Sequence, residues 1–171
     1  MEYNYCRRCG GELTDTDGSF VCPSNHHTYP SPKPTAGIIF IRNNRVVLSR
    51  RAIEPKKDTL DTVGGFVEVG ENFEEAIRRE IQEETGLTES HYTSLKYLCS
   101  APGPYEYESE TVQVLSVFFT AQLNVNTEIV AQDDISAIEE LDLTDIDYSD
   151  VGNEDVKIAL DKLKKVWANN E

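Results

Sequence analysis

The spacing of charged residues between Gly65 and Leu87 constrains this chain more than any other feature of its sequence. Glu80, Glu83 and Glu84 stand at positions i, i+3 and i+4, so on a helix their carboxylates share one face. Like charges this close raise one another's proton affinity unless a cation compensates. Mg²⁺ in particular binds through a few carboxylates together with substrate phosphates. The segment therefore predicts a helix that carries a site for a divalent cation.

Two features before these glutamates extend the pattern. Arg79 and Glu71 are eight residues apart, near two helical turns, so their side chains can pair and fix the preceding loop. Gly64 and Gly65 let the backbone approach closely, so that a carbonyl there can reach the same ion. The glutamates alone would more often be a solvated helix face, and it is the complete spacing that favours a site.

Three of the four cysteines lie in the first 22 residues, as Cys6-x2-Cys9 and Cys22. A Cys-x-x-Cys turn and Cys22-x3-His26 can supply four ligands to a tetrahedral zinc, and four protein ligands leave no open position for catalysis. We therefore expect a structural zinc, with His26 favoured over the neighbouring His27 as the fourth ligand. Free thiols with chance histidines are the alternative. Cys99, which lies in an apolar stretch, is expected in the core.

The charged spacing matches the Nudix box without a gap, as Gly65-x5-Glu71-x7-Arg79-Glu80-Ile81-x-Glu83-Glu84-x-Gly86-Leu87. The chain thus resembles the Nudix hydrolases, and with its cysteines it is similar to the branch with an N-terminal zinc ribbon, which includes NADH pyrophosphatases and ADP-ribose pyrophosphatase-like proteins. The resemblance implies metal-dependent hydrolysis of a nucleoside diphosphate linked to another moiety, such as ADP-ribose, a related ADP-X compound or an NADH- or FAD-type dinucleotide. A nucleoside monophosphate would be released. A nucleotide-sensing module without catalysis is the alternative.

The resemblance also implies roles for residues of the box. Glu80 and Glu84 would be the principal ligands of Mg²⁺ or Mn²⁺, together with the Gly64 carbonyl. Glu83 would be a third ligand or the base that activates water. Glu71 and Arg79 would form the pair that supports this catalytic segment.

Further residues outside the glutamate cluster are candidates for the site. By resemblance, Arg51 matches an arginine that contacts substrate phosphate, and Asp134 matches an acidic metal ligand, although an ordinary acidic loop is an equal interpretation. Phe66 and Tyr105 could stack on a nucleoside base or belong to ordinary sheet packing. Pro102 resembles a proline of ADP-ribose pyrophosphatases, and the motif typical of NADH-specific relatives is replaced here.

The order of elements predicts an α/β (α+β) fold, and the resemblance implies a Nudix-type α/β/α sandwich with a mixed sheet. We expect a zinc ribbon at 1–30, a Pro-rich linker without ladder pairing at 31–35 and a Nudix hydrolase domain at 36–171. The predicted strands are 12–14, 19–21, 36–41, 45–50, 94–100, 105–108, 112–123 and 135–141, with a Gly-containing segment at 61–69. The predicted helices are 72–85 and about 153–168.

Charge and composition exclude several classes of protein. The net charge is −15, and 14 acidic residues but no Lys or Arg lie between Tyr97 and Val156, so we expect no nucleic-acid partner. A basic segment from Arg42 to Lys57 is a candidate anion-binding rim. The first residues lack the pattern of a secretory signal, and no apolar stretch is long enough to span a bilayer. We expect a cytoplasmic protein, with a homodimer implied by the resemblance.

Overall fold

A small three-stranded sheet comes first in the chain. The computed structural model describes residues 3–107 and 110–169, and its first strands pair antiparallel in the order β1 (Thr14–Asp15), β2 (Phe20–Val21) and β3 (His27–Thr28). The expected hairpin is present, although its first strand starts later than predicted, because Glu12 makes only an isolated bridge to Tyr5. The third strand was not predicted.

Seven strands form the larger sheet, in the order β10-β5-β4-β9-β8, with β6 paired to β5 and β7 paired to β4. The β4–β9 pair is parallel and the other pairs are antiparallel, so the sheet is mixed as predicted. Asn43 and Asn44 join β4 to β5 with φ of 50° and 62°, as a tight hairpin turn requires. The strands are β4 (Lys33–Arg42), β5 (Arg45–Arg51), β6 (Leu60–Asp61), β7 (Val63–Phe66), β8 (Lys96–Tyr107), β9 (Glu110–Gln122) and β10 (Ile135–Leu141).

Two predictions for proline-containing parts of the chain were wrong. The 31–35 segment was expected to stay outside the ladders, but β4 begins at Lys33, and Pro34 pairs opposite Leu115. Proline lacks only the N–H, so near the start of a strand its carbonyl can still accept a hydrogen bond. The Pro34 carbonyl accepts one from the N–H of Val67 at 3.1 Å. The two strands predicted at 94–100 and 105–108 are the single strand β8, although Glu108 lies outside the described residues.

Two helices cover the two faces of the larger sheet. Helix α1 (Phe73–Thr85) begins with a capping box between Asn72 and Glu75 and ends at Gly86, whose φ is 69°. Helix α2 (Glu154–Ala168) follows Asn153, and a short 3-10 helix covers Glu89–His91. Both predicted helices are therefore present.

The core has two layers, one on each side of the sheet. Ile77 and Ile81 of α1 pack with Ile38 and Phe40, while α2 covers the opposite cluster, which contains Leu160 and Phe118. Alternate residues of β4 therefore point into opposite layers, which gives the α/β/α arrangement. Cys99 and Trp167 are partly buried and pack against the α2 layer. No helix in the described part of the chain is long and apolar enough to cross a membrane.

Candidate functional site

The carboxylates of α1 lie against the glycine strand β7. The N–H of Gly64 donates to Glu84 Oε2 at 2.9 Å. A Cβ on Gly64 would lie 2.1 Å from the carbonyl oxygen of Ala36, and one on Gly65 would lie 2.4 Å from Glu80 Oε1. Side chains at either position would therefore separate β7 from its neighbours. The glycines let β7 approach β4 and the Glu80 carboxylate.

Burial makes these carboxylates resist ionisation in the absence of a cation. Glu84 is only 7% exposed, and burial raises its pKa to about 8, with repulsion from Glu80, Asp61 and Asp134 in the same direction and the Gly64 N–H opposing it. Burial also raises the pKa of Glu80. A buried, mutually repelling set of carboxylate oxygens fits a divalent cation, which would compensate their charge.

Arg79 is the centre of an ion-pair network at this segment. Its Nε and Nη2 donate to Glu71 Oε1 and Oε2 at 2.8 and 3.0 Å, and Nη2 also donates to the carbonyl of Phe66 at 3.0 Å. Nη1 donates to Glu80 Oε1 at 2.8 Å and to Glu83 Oε2 at 3.0 Å. The Arg79 hydrogen bond lowers the pKa of Glu71. The predicted Glu71–Arg79 contact is thus present, and it ties the loop before α1 to the helix.

Arg51 lies at the same cleft, held by three acceptors in different directions. Its Nε donates to the carbonyl of Pro55 at 2.8 Å, Nη1 to Asp61 Oδ2 at 3.0 Å, and Nη2 to the Tyr105 hydroxyl at 3.4 Å. An arginine has five N–H donors, so two remain for another acceptor. Arg51 can therefore be held in place and still bind an anion.

The remaining candidates line one cleft of about 580 Å³ with the glutamates, within the usual range for small-molecule sites. The Phe66 ring meets those of Tyr105 and Tyr107 edge-on, with centroids 5.6 and 5.8 Å apart. Asp134 also lines the cleft. The structure therefore brings the α1 glutamates to one cleft with the predicted substrate contacts and Asp134. Glu71 reaches this group through Arg79, whereas Pro102, on β8, is not among the residues that line the cleft.

Sequence reasoning missed Asp61 as a member of the site. Asp61 is 8% exposed and accepts hydrogen bonds from Arg51 and from Asn153 Nδ2, the latter at 2.9 Å. Burial raises the pKa of Asp61, and the Arg51 charge opposes that shift. The available signal was an acid in a short strand-like segment between Leu60 and Val63, since a charge that is buried there needs a partner.

The expected anion-binding rim is largely neutralised by carboxylates. Arg42 pairs with Glu140, Arg45 with Asp142, and Arg50 with both Glu139 and Asp150. Because these acids come from β10 and the segment after it, the pairing could not be read from the local sequence. Arg51 is the member of that segment that faces the cleft.

The N-terminal cysteines form a second candidate site. Ligand atoms of Cys6, Cys9, Cys22 and His26 all lie within 4.8 Å of one another, and within 3–107 and 110–169 this is the one set of three or more Cys, His, Asp or Glu groups that does so. Cys9 Sγ and Cys22 Sγ are 3.5 Å apart, and Cys6 Sγ lies 3.6 Å from His26 Nδ1. Tetrahedral zinc with Zn–S bonds near 2.3 Å requires separations of about 3.8 Å, so the donor set fits zinc.

The local backbone favours the charged form of one thiol in this cluster. A hydrogen bond from the backbone of Arg8 is the main cause that lowers the pKa of Cys6 to about 6. The thiolate is the form that binds metal. His26 lies in the cluster, whereas His27 belongs to β3 and stacks near Tyr29 with a centroid separation of 6.3 Å. The geometry therefore favours His26 over His27 as the fourth donor.

Comparison with known proteins places this cleft in a family. The model described as NUDIX domain matches residues 31–161 of the chain. The chain belongs to the Nudix family. The match covers the box, the cleft and the Nudix-type fold, and the fold class predicted from the sequence is confirmed.

Sequence similarity to curated proteins is consistent with this family. The chain is similar to the NAD-capped RNA hydrolase NudC of Haemophilus influenzae (strain PittGG), with 29% identity over 128 residues, which cover 72% of this chain and 47% of that protein. It spans about half the length of the curated relatives it matches.

Solved Nudix structures show the same fold. A NUDIX hydrolase from Nitrosomonas europaea has a TM-score of 0.63 and 23% identity, covering 94% of this chain and 88% of that one. The NUDIX domain of Shewanella oneidensis NrtR, solved with ADP ribose, has a TM-score of 0.65 and 16% identity, covering 81% and 90%.

Proposed function

We propose that this chain is a pyrophosphohydrolase that uses Mg²⁺ or Mn²⁺ to hydrolyse a nucleoside diphosphate linked to another moiety, releasing a nucleoside monophosphate. The observation that carries the proposal is the burial of Glu84 and Glu80 against the glycine strand of the cleft. Among the described residues no Lys or Arg pairs with Glu84, although burial and neighbouring acids oppose its ionisation. A protein gains nothing in stability from such an arrangement, so its use is to bind a cation.

The residues of the cleft divide the work of binding and orientation. Glu80 and Glu84, with the Gly64 carbonyl, would hold the cation, which supplies Lewis-acid stabilisation of the charge that develops on the diphosphate. The two free N–H donors of Arg51 would bind a diphosphate oxygen and orient it for in-line attack. Arg79 and Glu71 hold the loop and helix in register, which keeps the carboxylates in place.

Glu83 stands at the open side of the cleft, with half of its side chain exposed. It is a third cation ligand or the base that takes a proton from the attacking water, and a Glu83→Gln variant separates these roles. Loss of a ligand would weaken Mg²⁺ binding, whereas loss of the base would lower kcat at unchanged Mg²⁺ affinity. Asp134, which also lines the cleft, is a further candidate ligand.

ADP-ribose or a related ADP-X compound is the proposed substrate class. The aromatic edge of Phe66 and Tyr105 lies on the cleft wall beside Arg51, where an adenine could stack while the diphosphate reaches Arg51. The relative from H. influenzae carries the name NAD-capped RNA hydrolase, which makes a nucleotide-capped RNA a second substrate to test.

A product assay tests this proposal. The zinc-loaded protein is incubated with Mg²⁺ and, separately, ADP-ribose, NADH, FAD, diadenosine polyphosphates, nucleoside triphosphates and an NAD-capped oligoribonucleotide, and released AMP or phosphate is measured by chromatography. We expect AMP from at least one diphosphate-linked substrate. Glu84→Gln should abolish its release, whereas Glu74→Gln, an exposed carboxylate on the same helix, should not. Tight binding without turnover of any compound would contradict the enzyme and support the nucleotide-sensing alternative.

The Cys6, Cys9, Cys22 and His26 cluster is proposed to hold a structural zinc ion. The division into a 1–30 ribbon, a linker and a 36–171 catalytic domain, and the homodimer, stay predictions. Light scattering of the zinc-loaded protein tests the homodimer, and a monomer would contradict it.

A further inference from the structure

A second groove, of about 640 Å³, lies where the N-terminal module meets the start of β4. It shares no lining residue with the catalytic cleft. Its described lining contains basic and aromatic side chains but no acidic one, although the chain has 31 acidic residues. The residues that matter here are Tyr5, Arg7, Arg8, His27, Tyr29 and Lys33.

The cations of this groove differ from the other cations of the molecule. Six of the eight arginines form ion pairs with carboxylates, namely Arg42, Arg45, Arg50, Arg51, Arg78 and Arg79. Arg7 and Arg8 form none with any described residue, and neither does Lys33. In so acidic a chain, guanidinium groups that have no carboxylate partner are available to an external anion.

The aromatic rings of the groove are open to solvent. The side chains of Tyr5 and Tyr29 are 66% and 70% exposed, and the His27 ring lies nearly parallel to that of Tyr29, with an interplanar angle of 17°. Unpaired bases stack on rings of this kind, while cations beside them contact the phosphates. An acidic peptide would satisfy the cations but would leave the rings exposed. The combination therefore fits a single-stranded nucleic acid better than a protein partner.

Strand β4 connects this groove to the catalytic cleft. Lys33 lines the groove, and Thr35, two residues further along the same face of β4, lines the cleft. Two residues of a strand span about 7 Å, so an extended ligand that leaves the cleft along β4 reaches the groove within that distance.

We propose that the groove of Tyr5, Arg7, Arg8, Tyr29 and Lys33 binds single-stranded RNA, as a strand whose 5′ nucleotide diphosphate occupies the catalytic cleft. The position of the 5′ end rests on the proposed function, whereas binding of the strand does not. The net charge of −15 led to the expectation that nucleic acid is excluded, but that total averages over a surface on which this groove is locally basic.

The first experiment measures binding alone. The whole 171-residue chain, loaded with zinc but without Mg²⁺, is titrated into a fluorescein-labelled, 5′-hydroxyl single-stranded RNA of about ten nucleotides, and anisotropy is read at several salt concentrations. Arg7→Ala/Arg8→Ala should raise Kd about tenfold and make the salt slope shallower by about 1.4, since each phosphate contact contributes about 0.7 on a single strand. Tyr5→Ala/Tyr29→Ala should raise Kd about tenfold through lost stacking.

Two matched variants serve as controls. Arg45→Ala removes an exposed arginine outside the groove, and Tyr97→Ala removes a tyrosine that is 65% exposed on β8. Both should keep the wild-type Kd, and the zinc content of all variants should be equal. Equal affinity of the groove variants and the controls would overturn the proposal. So would equally tight binding of an RNA duplex, whose bases are unavailable for stacking.

The second experiment tests the connection to the cleft. The ratio of kcat/KM for an NAD-capped oligoribonucleotide to kcat/KM for ADP-ribose should fall about tenfold in the two groove variants and stay constant in the controls. An unchanged ratio would overturn the placement of the RNA strand. Absence of turnover with both substrates, together with groove-dependent RNA binding, would contradict the proposed function but support the groove.

Discussion

The two candidate metal sites of this protein are built in opposite ways. The Cys6, Cys9, Cys22 and His26 cluster has its ligand atoms within 4.8 Å of one another, but it sits among two-residue strands with few buried side chains. The carboxylates of α1 lie in a cleft between two packed core layers, with Glu80 and Glu83 bound to Arg79. The cysteine cluster thus has its ligand atoms together but little hydrophobic core around them. The carboxylate site has a packed core around it, but Arg79 already pairs with two of its carboxylates.

This difference indicates what a metal would do at each site. A segment of about 30 residues cannot stabilise itself by burial, so the free energy of metal binding would be its folding free energy. The Nudix core buries Ile38, Phe40 and their neighbours, so we expect it to fold without a bound cation. A cation in the cleft would instead relieve the repulsion between buried carboxylates. The first metal would be structural and the second would act in binding and catalysis.

The largest effect should come from removing zinc. In the full chain, a Cys9→Ser variant or a zinc-chelated sample should lose amide protection within residues 6–28, while β4 and β9 keep theirs. Structural zinc supplies about 10–16 kcal/mol in small modules, far more than so few contacts can replace. Hydrogen–deuterium exchange with mass spectrometry measures this directly. A Cys99→Ser variant, which changes a cysteine outside the cluster, serves as the control. Retained protection after chelation would show that the module does not depend on metal.

Glu84→Gln should have effects of opposite sign on activity and stability. Turnover should fall by more than about a hundredfold, since mutating the outer partners of metal ligands alone costs 10–100-fold. Without added Mg²⁺ and near neutral pH, the same variant should melt at a higher temperature than the wild type, because the wild type must take up a proton at Glu84 in order to bury it and glutamine needs none. Glu74→Gln should change neither property. A lower melting temperature for Glu84→Gln would mean that Glu84 supports the fold, which is the role we expect of His26 in the other site.

The same contrast explains how much of the molecule could be predicted from its sequence. Helix α1 was predicted at both ends because Asn72, Glu75 and Gly86 act within one turn of it. The unbroken strand β8 was not, because its prolines are tolerated only by its position at the sheet edge, which the local sequence does not encode. The cysteine cluster is local in the same way as the helix caps.

Asp61 shows the limit of local reasoning in the site itself. Its partners lie 10 and 92 residues away in the chain, at Arg51 and Asn153, so no spacing in the sequence connects them. Asn153 precedes α2 as its N-cap residue, yet its side chain makes no capping bond and donates to Asp61. The Nudix box could be recognised because its residues have a fixed spacing in the sequence. The contacts that hold Arg51 through Asp61 form only when the chain folds.

The stability of the Mg²⁺-free protein should depend on pH through Glu84. Its pKa is about 8 in the folded state and near 4.5 when unperturbed, so between these values the folded state holds a proton that the unfolded chain releases. The free energy of unfolding should therefore fall as pH rises through that window, by about 2 kcal/mol between pH 6 and pH 8. Urea unfolding of wild type and Glu84→Gln at both pH values isolates this contribution. An equal pH dependence in both proteins would contradict it.

The smallest effects should come from Arg51 and Tyr105 at the edge of the cleft. Arg51 contacts the buried Asp61 and is the proposed contact for the substrate diphosphate. Arg51→Lys should raise KM for the best diphosphate substrate about tenfold, because a lysine cannot reach Pro55, Asp61 and a phosphate with one planar fork. Tyr105→Phe should raise KM less than about threefold, since it removes only a 3.4 Å hydrogen bond and keeps the ring against Phe66.

Steady-state kinetics of the two variants, with Arg45→Lys as the control, measures both changes in KM. If Tyr105→Phe matched Arg51→Lys, the hydroxyl rather than the guanidinium would be the substrate contact. If kcat fell while KM stayed constant, Arg51 would act in the transition state. In that case the position of the Arg51 guanidinium would matter for the chemical step and not for the affinity of the substrate, which would separate its role from that of a simple binding contact.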